Sequence, residues 1–320
     1  MRRMALAMIL SFAGCTGDPA ASGYQCVAPA NPGGGWDLAC RLASRAFTES
    51  GLIQGNVQVV NLPGAGGGRA FVRLATNRRS DPTVFAAASP ATTLNLAQGL
   101  FGSLDVADVR WVAALAAEPG VLAVRADAPW TSLSDLLEQW RRSPGSIISA
   151  GGSAVASQDH VKVLLVAEAG GVDPLLVRYV PFDGGGEALA ATLGGFVDLF
   201  SGEASEILPH LEAGSVRVLA VMSRNPLSPP LDSLPTTFQA GIQVEWPTWR
   251  GFYLPGQVSD SVYHAWVERF SALAASQEWE SVRQAYRWEP FVLTGSEFEV
   301  FVRDQVETFQ GLARRMGLIP

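Results

Sequence analysis

The chain has 320 residues, 48% of them hydrophobic and 17% charged, and a formal net charge of −7. That composition excludes a disordered chain and leaves room for two domains with a core each. The acidic balance and the lack of any basic run argue against nucleic acid as a partner, because phosphate contacts need a clustered basic face.

The N-terminus carries an address. Arg2 and Arg3 lead a short apolar stretch that ends in Ala13-Gly14-Cys15, the form of an export signal with small residues at the cleavage point. The stretch is too short to cross a bilayer, which takes about 20 apolar residues. A cysteine after Ala-Gly also resembles a bacterial lipoprotein box, with Cys15 acylated, although Phe12 stands where that box usually has Leu; an ordinary cleaved signal is the other reading. Either way the mature protein lies in the periplasm or cell envelope, with residues 1–22 as signal and tether, and it loses the charges of Arg2 and Arg3.

After the tether, strands and helices alternate. A strand over 24–29 leads through Pro32-Gly33-Gly34-Gly35-Trp36-Asp37 into a helix over 36–50, where Leu38, Leu42 and Phe47 recur at helical spacing. A strand over 57–61 leads through Pro63-Gly64-Ala65-Gly66-Gly67 into a helix over 67–77. A third pair spans 83–88 and 90–99. This βαβαβα order predicts a parallel sheet covered by helices. Each glycine turn exposes backbone N–H groups where a strand hands over to a helix, the arrangement of an anion site, and a Cβ there would hold a ligand away from the backbone.

Long apolar runs, Trp111-Val112-Ala113-Ala114-Leu115 and Gly120-Val121-Leu122-Ala123-Val124, mark a crossing to a second unit, placed just after Val124. There the alternation resumes, with strands over 146–150, 176–180, 196–200 and 216–222 and helices over 157–169, 184–193 and 204–213. Two more turns accompany them: Ser149-Ala150-Gly151-Gly152-Ser153 followed by Ser157-Gln158-Asp159-His160, and Tyr179-Val180-Pro181-Phe182-Asp183-Gly184-Gly185-Gly186-Glu187. A proline-rich stretch returns the chain through Trp249-Arg250-Gly251, and the remainder reads as two or three amphipathic helices. The expected fold is α/β: two lobes, 23–124 with 247–320 and 125–246, joined by a two-strand hinge with a ligand cleft between them.

Cys26 and Cys40 fall on the first strand and the first helix. In an oxidising compartment they are a possible disulfide, but the default is two buried free thiols packed between strand and helix, because a bridge needs Cα atoms within about 7 Å. No zinc spacing is present, and neither a metal nor a cofactor is expected.

The turns at 28–37, 61–67, 157–160 and 179–189, with Trp249-Arg250-Gly251, resemble the extracytoplasmic solute-binding proteins of tripartite tricarboxylate transporters, the Bug family. The resemblance runs in order from about residue 27 to 255. It implies a periplasmic-binding-protein type II fold, monomeric by family habit. Such a receptor closes on a small organic acid and delivers it to a two-component membrane permease, holding a carboxylate with backbone amides and bridging waters. Carried onto this chain, the ligand-binding residues are Gly33, Gly34, Gly35, Trp36 and Asp37; Pro63, Gly64, Ala65, Gly66 and Gly67; Gly152, Ser153, Ser157, Gln158 and Asp159; and Phe182, Gly184 and Gly185. Arg69, Gln158 and the acidic segment with Glu203 and Glu206 depart from the family pattern, and Arg69 either reaches a distal ligand charge or points to solvent.

Several of these residues have two readings. Asp37 either accepts a hydrogen bond from a ligand or is a first-turn carboxylate facing the helix dipole. Trp36 either walls the pocket or packs the lobe. Asp159 and His160 form a cap-and-core pair more naturally than a catalytic one. Arg250 either crosses the hinge to the ligand or makes a structural salt bridge or a stack between Trp246 and Trp249. Gly64-Ala65-Gly66 falls short of a dinucleotide loop because Arg69 takes the place of its last glycine, and an exported protein has no soluble NAD supply. Gly151-Gly152-Ser153-Ala154-Val155 misses a hydrolase elbow because Val155 replaces its final glycine. No catalytic residue is assigned. A receptor that presents its ligand to a sensor is the alternative role.

Overall fold

A computed structural model of the chain describes residues 23–229 and 231–319; the export segment, the tether and Cys15 lie outside them. The first six elements are β1 (Tyr24–Ala28), α1 (Gly35–Glu49), β2 (Val57–Asn61), α2 (Gly68–Val72), β3 (Val84–Ala88) and α3 (Pro90–Ala97). The long strand β4 (Val109–Arg125) follows, then α4 (Leu133–Arg142), β5 (Ile148–Gly151), α5 (Gln158–Ala169), β6 (Arg178–Pro181), α6 (Gly185–Leu193), β7 (Leu199–Glu203), α7 (Ala204–Glu212) and β8 (Val216–Val221). The chain closes with β9 (Pro247–Pro255), α8 (Asp260–Ala274), α9 (Gln277–Ala285), β10 (Glu289–Thr294) and α10 (Ser296–Arg315).

In the first lobe β1 runs parallel to β2 and β3, and β9 joins β3 to β4 in antiparallel register. Successive residues of β3 serve two different cores: Phe85 and Ala87 pack with α1 and α8, while Val84, Ala86 and Ala88 face the helices on the other side. A strand buried on both faces reads as a continuous apolar run, as this one does. Phe47, Phe85, Trp266 and Phe270 interlock edge to face between the sheet, α1 and α8. In the second lobe β5 runs parallel to β6 and β7, while β7 and β8 pair antiparallel with the far half of β4.

The change of partners along β4 is abrupt. Glu118 and Pro119 face Thr248 and Pro247, and from Gly120 onward the partners are Glu203 and then Val221. The sequence placed the crossing after Val124; the strand partners change earlier, inside β4, just past the facing pair Pro119 and Pro247, where the last link to the returning chain is the Gly120 N–H to the Trp246 carbonyl at 3.0 Å. Gly120 permits the turn of partners, since a Cβ there would sit 2.7 Å from Cδ of Lys162.

The helix expected over 67–77 is present as α2 followed by a wider helical turn to Asn77, in which the Arg78 N–H reaches back to the carbonyl of Arg73. One further expectation needs correction. The C-terminal region holds a strand as well as helices: β10 pairs with β4, its register broken between Pro290 and Leu293. Pro290 masks it in the sequence, because proline in a short run argues against a strand.

Cys26 and Cys40 are joined by a disulfide with Cα atoms 5.6 Å apart, which corrects the free-thiol reading. The strand, the tight glycine turn and the first turns of α1 bring the two positions within bridging range, and both are fully buried. A bridge across a loop of this length is worth about 3 kcal/mol through the unfolded chain. Replacing both cysteines by alanine is expected to lower the melting temperature markedly, and dithiothreitol should do the same to the native protein but not to the variant. Equal sensitivity of the two would show that the bridge contributes nothing.

Candidate functional site

In the first lobe the two glycine turns are locked together by Asp37. One of its carboxylate oxygens accepts from the Gly33 N–H at 2.9 Å and from Nε of Arg41 at 2.8 Å; the other accepts from Nδ2 of Asn61 at 2.8 Å. Asn61 also donates to the Ala30 carbonyl. Asp37 is 2% exposed. Burial alone would raise its pKa, but the hydrogen bonds from Arg41, Gly33 and Asn61 outweigh burial and hold it below the usual carboxylate range. Its carboxylate therefore orients the turn and is occupied within it.

Trp36 donates from Nε1 to Ser89 Oγ at 3.1 Å and lies against Gly67, where a Cβ would come within 3.2 Å of the indole. Asn95 of α3 donates to the Gly66 carbonyl at 2.7 Å. Gly64, Ala65, Gly66 and Gly67 all have positive φ, so three of the four need glycine, and they present their amides from a turn ahead of a helix too short for a strong dipole. Gly33, Gly34, Gly35 and Trp36 stay at least partly open to solvent, as do Pro63, Gly64, Ala65 and Gly66.

The second lobe is tied in the same way. Ser153 Oγ accepts from the Asp159 N–H, Tyr179 donates its hydroxyl to the Ser153 carbonyl at 2.8 Å, and His160 Nδ1 accepts from the Ala156 N–H at 3.0 Å. Gly152 touches the backbone of Gly184 and Gly185 so closely that no side chain fits between. Ser157 holds the N-cap position of α5 without a side-chain cap bond. The Phe182 N–H bonds the Gly151 carbonyl, and its ring packs with the core under α6.

Between the lobes lies a floor of buried charge that sequence reasoning did not assemble. Lys162 has no exposed surface, and its ammonium lies 2.8 Å from Asp159 Oδ1, 3.1 Å from Glu203 Oε1 and 2.8 Å from the Gly202 carbonyl. Glu203 also accepts from Nε2 of Gln158 and the hydroxyl of Thr248, so one carboxylate of β7 binds α5 and the returning strand β9. Arg250 of β9 pairs with Glu118 of β4, whose other oxygen accepts from the Ser205 N–H at the start of α7. A Cβ on Gly35 would lie 2.8 Å from the Arg250 guanidinium, and the Glu206 carboxyl abuts Gly185. The floor thus touches the first turn of one lobe and the last turn of the other. Lys162 is the only lysine of the chain and sits in an otherwise apolar helical run, a signal that could have marked it.

Arg250 is therefore a salt-bridge residue, and Trp246 stacks on Phe309 instead of on Trp249. Arg69 is exposed beside Gly64 of the second turn and lines a groove with Leu62 and Arg73. At the mouth, Gln98 of the first lobe donates to the Ala156 carbonyl of the second at 2.7 Å.

Burial and the neighbouring Glu203 and Asp159 push the Glu206 carboxyl well above its usual range. A carboxyl raised in the folded state contributes stability that is complete below its unfolded value near 4.5 and is lost as pH rises through the folded value. Glu206→Gln is expected to match the parent protein at pH 4 and to exceed it in melting temperature at pH 8. A gap of the same size at both pH values would remove this assignment. His160 behaves oppositely: burial lowers its pKa to about 4, so it contributes stability above its unfolded value near 6.5 that is lost on acidification towards pH 4. His160→Gln should flatten the decline in stability between those limits.

The fold recurs among solute receptors. The adipate-bound protein of Rhodopseudomonas palustris aligns over 92% of this chain and 97% of its own at a TM-score of 0.81 and 23% identity. MatC of the same organism, solved with malate, aligns over 90% and 98% at a TM-score of 0.78 and 20% identity. Among characterised sequences, BugT of Bordetella pertussis is 24% identical over 297 residues, 92% of this chain and 89% of its own. The family model described as the tripartite tricarboxylate transporter family receptor matches residues 45–318, and the chain belongs to that family.

Proposed function

We propose that the protein is an extracytoplasmic receptor that takes a small organic carboxylate into the cleft between residues 23–124 with 247–320 and residues 125–246, and passes it to a two-component membrane permease. The observation that carries this reading is the pairing of glycine turns, two per lobe, across one buried floor. Their amides supply donors without a net charge, which suits a carboxylate held in a chain that is itself acidic. The malate and adipate of the related receptors belong to the same ligand class. Binding involves no chemistry: Ser153 and His160 are each engaged by a backbone N–H, and no hydrogen bond joins them. The receptor is monomeric and held at the envelope through acylated Cys15, and no helix among the described residues is long and apolar enough to cross a membrane.

A thermal-shift panel of mono-, di- and tricarboxylates tests the reading. A ligand at a hundred times its dissociation constant stabilises by about 2.7 kcal/mol, a clear rise in melting temperature. A flat panel would overturn the proposal. Gly184→Val is the matching variant, because Gly184 has extended backbone and a Cβ there meets nothing within 4 Å. Its fold is expected to be as stable as the parent, while affinity for the active carboxylate falls tenfold or more in titration calorimetry.

A further inference from the structure

Four arginines, Arg69, Arg73, Arg78 and Arg79, fall within eleven residues that contain no acid, in a chain whose net charge is −7. The sequence shows no basic run there because apolar and small residues separate them. Folding gathers three of them. Arg69 on α2 and Arg73, which opens the wide turn after it, are one helical turn apart, and that turn brings Asn77 and Arg78 to the same side, so that these four with Leu62 and Val72 line a groove of about 410 Å³ beside the edge strand β2. Arg69 and Arg73 are exposed and form no ion pair among the described residues, whereas Arg41, Arg45, Arg142 and Arg303, exposed on other helices, each have a carboxylate partner. Like charges one helical turn apart repel, so the pair is destabilising unless an anion joins it. The nearest acid, Asp81, is engaged by Arg78 and by Thr83.

The position of the groove says which anion. Arg78 donates from Nη1 to the side chain of Gln25 at 2.6 Å, so the basic face adjoins the start of β1, where the chain enters the fold. Eight residues separate Cys15 from Tyr24, nine steps along the chain that can span at most about 32 Å. A chain anchored at Cys15 holds this face close to the bilayer. Basic side chains near anionic lipid add an attraction of their own, about 1 kcal/mol for each residue near the surface, and it would orient the anchored chain. The remaining negative charge of the protein does not prevent this, since salt screens it beyond about 8–10 Å.

We infer that the α2 groove is a docking face for anionic phospholipid headgroups, with the lipid phosphate between Arg69 and Arg73, and that it sets how the anchored receptor lies on the membrane. The inference rests on the envelope placement proposed above and is independent of carboxylate binding.

The test uses the processed chain without its acyl group, sedimented with phosphatidylglycerol or phosphatidylcholine vesicles at about 0.1 M salt, where the screening length is about 10 Å. Binding to phosphatidylglycerol alone is expected, falling steeply with salt. At about 1 kcal/mol for each arginine near the surface, Arg69→Gln with Arg73→Gln should weaken partitioning at least tenfold, while the same change of charge at Arg141 and Arg142 on α4 should have little effect. Equal weakening by both pairs, equal binding to both lipids or no binding to either overturns the inference. Displacement by millimolar inorganic phosphate also overturns it, and would assign the groove to a free phosphate. The carboxylate thermal shift, measured on the same variants, is expected to be unchanged, so failure of the docking face and failure of the receptor reading are told apart.

Discussion

A lysine ammonium with no exposed surface has to be held by carboxylates, and the carboxylate that holds Lys162 also ties the lobes together. Glu203 faces Lys162 and Gln158 from one lobe and Thr248 from the returning strand β9. Removing one member of such a group leaves its partner charged and desolvated, which is destabilising by several kcal/mol, so the cluster persists as a unit. Arg250 and Glu118 extend it to α7 through the Ser205 amide. The floor of the cleft and the junction of the lobes are thus one network, and the glycine turns take their positions from it.

The charge of that floor fits an anionic ligand only if some of its carboxyls are neutral. Glu118, Asp159, Glu203 and Glu206 face just two cations, Lys162 and Arg250. Burial together with Glu203 raises Glu206, and burial against the pull of Lys162 raises Asp159, so both take up protons more readily than a free carboxyl does. The turns above add donors without adding charge.

Rigid supports surround this polar centre. The disulfide between Cys26 and Cys40 and the carboxylate of Asp37 brace the first turn from below, and Ser89 and Asn95 of α3 brace the second. On the other side Gly152 sits so close to Gly184 and Gly185 that the two turns of the second lobe are in effect one surface. Between the lobes the chain passes through the two strands at Pro119–Gly120 and Trp246–Pro247, linked there by the Gly120 N–H to the Trp246 carbonyl, and Gln98 bridges them at the mouth.

Much of this was legible in the chain. Alternating apolar runs and glycine turns depend on neighbours a few residues away, and they placed most strands, most helices and all four turns within a few residues of their observed limits. Elements whose existence depends on a distant partner were not legible. β10 forms because β4 offers a free edge, and Pro290 argues against it locally. The crossing falls at Gly120 because Pro119 meets Pro247, more than a hundred residues away. Asp37 and Arg250 read equally as ligand contacts or structural charges until their partners at Asn61 and Glu118 are brought beside them. By itself the sequence determined the two-lobed α/β pattern and the places of the four glycine turns. Only the tertiary structure decided which charges face inward and which remain free on α2, because the energy of a charge is set by what surrounds it in space.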